Sequence, residues 1–273
     1  MRTPWVLRPA RAGFFCGVLV VGLLAGCSRE PKALYDEADR LWLAEKYRTA
    51  LEKYQQIVDG FPKSSWADRA LYRMGELYFL FLNDPERAVD SFKELISNYP
   101  NSDLAFSAQE YVATLYEQYI KNYDQAIVEY QKLIDWLKGK KGADRFQLAI
   151  AECYYRKGEI SQAITEYQML LEEYPGSSWR EKGRYQLANA LNVLGRNEEA
   201  VKEYRKFLRD YPNSVYTPDA KLGLAGSLED MGRLKEALAV YKDLKGDPAH
   251  QSLIAEHIAN IERQVQYGPH RRK

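Results

Sequence analysis

The chain is poor in the side chains that most catalysis needs. Three His occur in 273 residues, at positions 250, 257 and 270. Nearly all of the chain therefore lacks an imidazole for proton transfer or metal ligation. His250 and His257 are two helical turns apart with no third ligand beside them, so no metal site and no cofactor is expected. Three Cys exclude a disulfide framework. Neither sign of charge is in excess: 39 Lys and Arg face 38 Asp and Glu, a net of +1. That balance argues against nucleic acid as a partner. With 11 Pro, 17 Gly and 46% hydrophobic residues, the chain is neither disordered nor collagen-like. There is no His-Glu-x-x-His and no Gly-x-Ser-x-Gly. The Gly- and Lys-rich stretch at 138–142 lacks the Gly-Lys-Ser/Thr end of a phosphate loop. Paired acids such as Glu172-Glu173 and Glu198-Glu199 read as solvated helix faces. No catalytic residue is expected, and the chain reads as a non-enzyme.

An apolar run covers Ala12 to Leu24, thirteen residues. As a helix it would span about 20 Å, short of a hydrocarbon core of about 30 Å. Arg2, Arg8 and Arg11 precede or flank it, and no acid occurs before Glu30. A basic flank before a short apolar run reads as a secretory signal. The run leads into Leu24-Ala25-Gly26-Cys27, which resembles the bacterial lipobox at all four positions. That resemblance implies cleavage before Cys27 and acylation of its thiol. The alternatives are an ordinary signal peptide, or a signal anchor with Cys27 as a small apolar residue. Ser28 in the next place resembles lipoproteins sent on to the outer membrane. Cleavage would remove Cys16 and leave Cys153 with no disulfide partner, which reads as a small buried residue.

Internal repeats come next. Ala50, Ala88, Ala126, Ala163, Ala200 and Ala237 recur at intervals of 37 or 38 residues. Four places after each stands an aromatic: Tyr54, Phe92, Tyr130, Tyr167, Tyr204 and Tyr241. A small residue stands twelve or thirteen places before it: Ala38, Gly75, Ala113, Ala151, Ala188 and Ala225. Pro62, Pro100, Pro175 and Pro212 stand twelve after it. Each unit reads as two helices packed through the small residues, with Gly158, Gly195 and Gly232 at the turn. Asn83-Asp84-Pro85 turns the second unit. The second helix should begin near an acid or Ser. The Ser of Tyr-Pro-x-Ser should cap the following unit's first helix, and Trp66, Trp179 and Tyr216 should plug the seams between units. A final helix near 249–265 should cap the stack, with His250, Gln251, Glu256 and Arg263 on its polar side. The 138–142 stretch is a soft point between two halves or a longer solvated loop.

This pattern resembles the tetratricopeptide repeat. It implies an all-α superhelical solenoid of about six helix-turn-helix units with a C-terminal capping helix. The expected organisation is a signal peptide at 1–26, a lipidated Cys and tether at 27–31, the solenoid with its cap at 32–267, and a basic tail at 268–273. The tail either touches anionic lipid or a partner, or is a solvated end. A tether of about four residues reaches roughly 14 Å, which holds the array close to its membrane.

Lipobox, short tether and Tyr-Pro-x-Ser units together resemble the BamD family of outer-membrane lipoproteins, most closely at Tyr211-Pro-Asn-Ser-Val-Tyr-Thr-Pro-Asp-Ala220. Members have five units, and six are counted here. The resemblance implies a non-catalytic scaffold on the periplasmic face of the outer membrane that assists β-barrel assembly. Unfolded outer-membrane proteins would bind the N-terminal units and the barrel-assembly channel subunit the C-terminal ones. The rival readings are an adaptor for Tol-Pal and division, peptidoglycan or pilus assembly, and a free envelope chaperone.

In this repeat the first helix of each unit lines the concave face. Carried over, the peptide-groove candidates are Tyr35, Asp39 and Trp42 in unit one, and Arg69, Tyr72, Glu76 and Phe79 in unit two. Unit four offers Glu152, Tyr155 and Arg156. Unit five offers Lys182, Tyr185, Asn189 and Asn192, and unit six Leu222, Glu229 and Asp230. The first two units are the more aromatic, so an extended apolar-aromatic segment is expected there. Trp42 and Phe79 read equally well as core.

Overall fold

The computed structural model describes residues 30–138, 141–244 and 251–267. Six helix pairs follow one another: α1 (Pro31–Leu43) with α2 (Tyr47–Gly60), α3 (Ala67–Leu80) with α4 (Pro85–Asn98), and α5 (Ala105–Thr114) with α6 (Tyr123–Leu137). Then come α7 (Ala143–Lys157) with α8 (Ile160–Glu173), α9 (Arg180–Val193) with α10 (Asn197–Asp210), and α11 (Thr217–Asp230) with α12 (Leu234–Asp243). A last helix, α13 (Gln251–Tyr267), packs on α12. No strand occurs among the described residues. Each helix packs on the one before and the one after it, which is the one-dimensional build of a solenoid.

The repeated residues form the core. Tyr54, Phe92, Tyr130, Tyr167, Tyr204 and Tyr241 are all buried, as are Ala38, Ala113, Ala151, Ala188 and Ala225. Phe92 lies flat on Tyr111, with centroids 4.8 Å apart, and its ring occupies the space a Cβ on Gly75 would need. The residue five places before each repeated Ala has a left-handed backbone in all six units. It is Glu45, Asn83, Lys121, Gly158, Gly195 and Gly232, with φ from 50° to 87°. Gly fills the place in the last three units, and the first three hold side chains there at a steric cost.

Units two and three are one residue longer between their small residue and the repeated Ala, for two different reasons. In unit two the extra residue enlarges the turn before α4. In unit three the first helix runs on as a π-helical turn, Leu115–Ile120. A π-turn is a one-residue insertion that leaves the rest of the repeat in register.

The middle of the array is held by polar pairs, one buried and two partly buried. The Gln109 side-chain amide donates to the Glu129 carboxylate at 2.7 Å, and Gln147 donates to Glu166 at 2.6 Å. Arg184 pairs with Glu203 at 2.9 Å. These three first-helix positions are equivalent, and units one and two put Leu34 and Leu71 there instead.

The capping differs from expectation. Ser64, Ser102, Ser177 and Ser214 do not cap the next helix. Each accepts from the backbone N–H two residues on, at 3.0 to 3.3 Å, and so closes the turn ahead of the helix. Ser102 also donates to Asp68 at 2.5 Å, and Ser214 donates to Glu181. Both acids are second in the preceding unit's first helix, so these hydroxyls tie unit to unit. The N-cap positions of the second helices are Lys46, Asp84, Asn122, Glu159, Arg196 and Arg233. Of these, Asp84 and Asn122 accept from the helix as side-chain caps. Arg196 and Arg233 instead reach forward to Glu199 and Glu236.

Two of the three expected seam plugs are in place. Trp66 meets Tyr35 with centroids 4.9 Å apart, and Tyr216 stacks on Tyr185 at 4.8 Å. Trp179 is 40% exposed and faces the inner surface instead. Across the 138–142 stretch, of which 139–140 lie outside the described residues, Tyr130 still stacks on Phe146, so the helices on either side are packed together. Cys153 is fully buried and free, and burial pushes its thiol up to about 12. Gln251, Glu256 and Arg263 are exposed on α13. Cys27, His250 and the basic tail lie outside the described residues.

Candidate functional site

The first helices carry three hollows along the inner face, and most of the groove candidates fall into them. The first has a volume of about 390 Å³ and is lined by Tyr35, Arg69 and Tyr72 together with Arg73, Ser102 and Leu104. Arg73 organises it. Its guanidinium donates to the Tyr35 hydroxyl at 3.3 Å, pairs with Glu76 at 2.9 Å and lies over the Trp42 ring at 4.8 Å. Burial alone would lower the Arg73 pKa, but the Tyr35 and Glu76 contacts outweigh it and keep the group firmly charged. Burial, with Tyr111 and Glu76 nearby, pushes the Tyr72 phenol up to about 12.

Asp39 is taken up by the Tyr54 hydroxyl. Trp42 meets the edge of Phe81 at 5.6 Å, and Phe79 meets Tyr119 at 4.8 Å and Tyr111 at 6.3 Å. Both rings are half-buried and bridge consecutive units. They brace the edge of the array and do not line the first hollow.

The second hollow, about 400 Å³, holds Glu152, Arg156 and Lys182. Its charges are already matched between consecutive first helices. Lys182 meets Glu152 at 2.5 Å, Arg156 meets Glu117 at 2.7 Å, and Arg145 pairs with Glu110. Glu117 is buried and also accepts from Tyr130 at 2.5 Å.

The third hollow, about 440 Å³, gathers Tyr155, Tyr185, Asn189, Asn192, Leu222 and Asp230, joined by Leu253 and His257 from α13. Asn189 accepts from Tyr204 at 2.6 Å, and Asn192 donates to Ser227 at 2.8 Å. Glu229 stands behind the wall, 2.8 Å from His257 Nδ1 and 3.2 Å from the Tyr241 hydroxyl.

Sequence reasoning did not place Arg73, Glu117, Trp179 or His257 in the groove. Arg73 is four places after Arg69 and shares its helix face, so that spacing was available. Glu117 is brought inward by the π-turn, which leaves no periodicity to read. His257 belongs to a helix outside the repeat, so no repeat position points to it. Among the described residues no three His, Cys, Asp or Glu gather as a metal site, and no helix is long and apolar enough to cross a membrane.

Comparison with known proteins gives two family matches. Residues 69–102 match a tetratricopeptide repeat model. Residues 119–245 match the model of the outer membrane lipoprotein YfiO. No curated protein matches the sequence. Among solved structures, a tetratricopeptide repeat protein from Parabacteroides merdae has a TM-score of 0.51 at 14% identity, covering 89% of this chain and 94% of that one. PilW, a type IV pilus biogenesis factor, has a TM-score of 0.50 at 14% identity, covering 86% of this chain and 99% of that one. These likenesses establish the fold. The chain is a tetratricopeptide-repeat solenoid whose third to sixth units resemble YfiO-type lipoproteins, and such folds serve as protein-interaction adaptors.

Proposed function

We propose that the chain is a lipid-anchored, non-catalytic scaffold on the periplasmic face of the outer membrane that assists the assembly and insertion of β-barrel proteins. The match of residues 119–245 to an outer membrane lipoprotein family carries this reading. The lipobox ending at Cys27 supports it from the other end of the chain. Acyl chains bind a membrane at about 0.8 kcal/mol per buried CH₂, so two or more chains anchor the protein stably.

The inner face supplies the means. A solenoid of this length presents three hollows in a row, each bounded by two or three first helices, to an extended segment or to another protein's surface. The first hollow, with Tyr35, Tyr72 and two Arg, suits an unfolded barrel segment with apolar and aromatic side chains. The C-terminal units are left for the barrel-assembly channel subunit. The short tether suits a subunit docked on a membrane-embedded partner. Depletion of the protein in its own cells tests the reading. The level of folded β-barrel proteins in the outer membrane should fall several-fold, while lipoproteins of the same membrane stay constant. Unchanged barrel levels would overturn it.

A further inference from the structure

The turns inside the first three units carry an apolar ridge. Leu43 ends α1 and is 85% exposed, and Leu80 ends α3 and is 55% exposed. Phe81 follows it, and Tyr119 stands in the π-turn at 52% exposed. Ring contacts make the ridge continuous. Phe81 meets Trp42 at 5.6 Å and Tyr47 at 4.7 Å, and Tyr119 meets Phe79 at 4.8 Å. The same turns carry Arg156 and Lys157 in unit four, and Asp230 and Arg233 in unit six. Unit five exposes Val193 and Leu194 there without an aromatic.

Apolar surface in the open marks a contact with a protein or a membrane. Three observations favour lipid. The four exposed side chains stand at helix ends, and none lines one of the three hollows. They form a ridge that can insert, with no groove to receive a helix. The charge beside the ridge leans basic. Of the exposed charges within five residues of it that pair with no described side chain, Arg40, Lys46, Arg48 and Lys121 are basic, and Glu45 and Glu86 are acidic. Anionic headgroups attract such a surplus, whereas a second copy would bring the same cations against themselves. The tether, lastly, brings the ridge within reach. Four residues from Cys27 span roughly 14 Å, and α1 covers about 20 Å from its start to Leu43. With α1 inclined by about 45° or more from the membrane normal, Leu43 meets the lipid surface. After cleavage before Cys27, the stretches outside the described residues are short and mostly polar, so the chain has no segment of its own to cover the ridge.

We propose that this ridge is a second membrane contact. Leu43, Leu80, Phe81 and Tyr119 dip into the interface of an anionic bilayer and fix how the anchored chain lies on it. The proposal rests on the reading of the chain as a lipoprotein acylated at Cys27.

The test reconstitutes the full lipidated protein in vesicles of phosphatidylethanolamine and phosphatidylglycerol. Leu43→Cys and Leu80→Cys each carry an environment-sensitive dye. Val215→Cys, exposed in a loop at the N-terminal ends of the first helices, is the control. Cys153 is buried and does not compete for the dye. Vesicle flotation reads the anchor, and quenching by a nitroxide-labelled lipid reads the ridge. Quenching should be at least threefold stronger at positions 43 and 80 than at 215. In phosphatidylcholine vesicles it should fall at least twofold, and undiminished quenching there would overturn the role given to the four cations. Equal quenching at all three positions, or none at 43 and 80 in protein that floats, would overturn the ridge contact and leave the anchor standing. Protein that fails to float would overturn both. Dye protection that rises with protein density and is not quenched would assign the ridge to a second copy, and would overturn the proposal as well.

Discussion

The hydroxyl of Tyr204 donates to the side-chain carbonyl of Asn189 at 2.6 Å, across the two helices of one repeat. Tyr54 does the same to Asp39 in the first unit. In both, the acceptor directly follows the small residue of the first helix. The buried ring of the repeat thus carries its polar end through to the inner face and fixes a groove side chain there. Core packing and groove geometry are one construction.

Removing that hydroxyl should therefore loosen both. A net hydrogen bond is worth about 1 kcal/mol, and an abandoned buried acceptor makes the loss larger. Tyr204→Phe should lower the melting temperature by about 2–4 °C. Tyr167 is equally buried but its hydroxyl makes no hydrogen bond to a described residue. Tyr167→Phe should shift melting by less than half as much, measured by circular dichroism on both variants.

Gly75 tests the close approach of α3 to α4. A Cβ there would lie 2.5 Å from the Phe92 ring, which is buried and stacked on Tyr111. Helix propensity favours Gly→Ala by about 0.5–1 kcal/mol. Overpacking costs about 1–3 kcal/mol, and the ring has no room to yield. Gly75→Ala should be destabilising in urea unfolding, against the usual sign for a mid-helix Gly.

Lys121 gives the opposite sign. Its φ is 58°, in the place where three other units have Gly. Left-handed backbone costs a side-chain-bearing residue roughly 1–2 kcal/mol. Lys121→Gly should be neutral to stabilising by about 1 kcal/mol in the same titration.

Cys153 should resist thiol reagents. Burial pushes its thiol up to about 12, from an ordinary value near 9. A folded-state pKa above the unfolded one stabilises the protein fully below about pH 9, and that stabilisation is lost as pH rises towards 12. Iodoacetamide at pH 8 should leave Cys153 unmodified in the native chain and label it in denaturant. Fast labelling of the native chain would contradict its burial.

The repeat, its small residues and its aromatic ring positions were legible because they obey a period of 37 or 38 residues. A period survives in sequence when every unit solves the same packing problem. The turn was legible where Gly marks it, at Gly158, Gly195 and Gly232, and at Asn83-Asp84-Pro85 in unit two, where Asn83 is left-handed. Glu45 and Lys121 adopt the same backbone without the signal. The Ser of each loop was assigned the wrong backbone donor because a hydroxyl can cap a helix or close a turn from nearly the same place. The π-turn that brings Glu117 inward shows in the sequence only as a thirteen-residue spacing from Ala113 to Ala126, which unit two shares for a different reason. Groove candidates separated in the same way. Tyr155, Tyr185, Asn189 and Asn192 meet in one hollow, while Trp42 and Phe79 went to the braces between units. A helix face identifies neighbours on one helix but not which ring the next unit presents.

The most direct test of the central claim is a gentle detergent purification of the lipidated protein from its own membranes, with mass spectrometry of what accompanies it. The account predicts stoichiometric recovery of the barrel-assembly channel subunit. Recovery of Tol-Pal, peptidoglycan or pilus components without that subunit would contradict it.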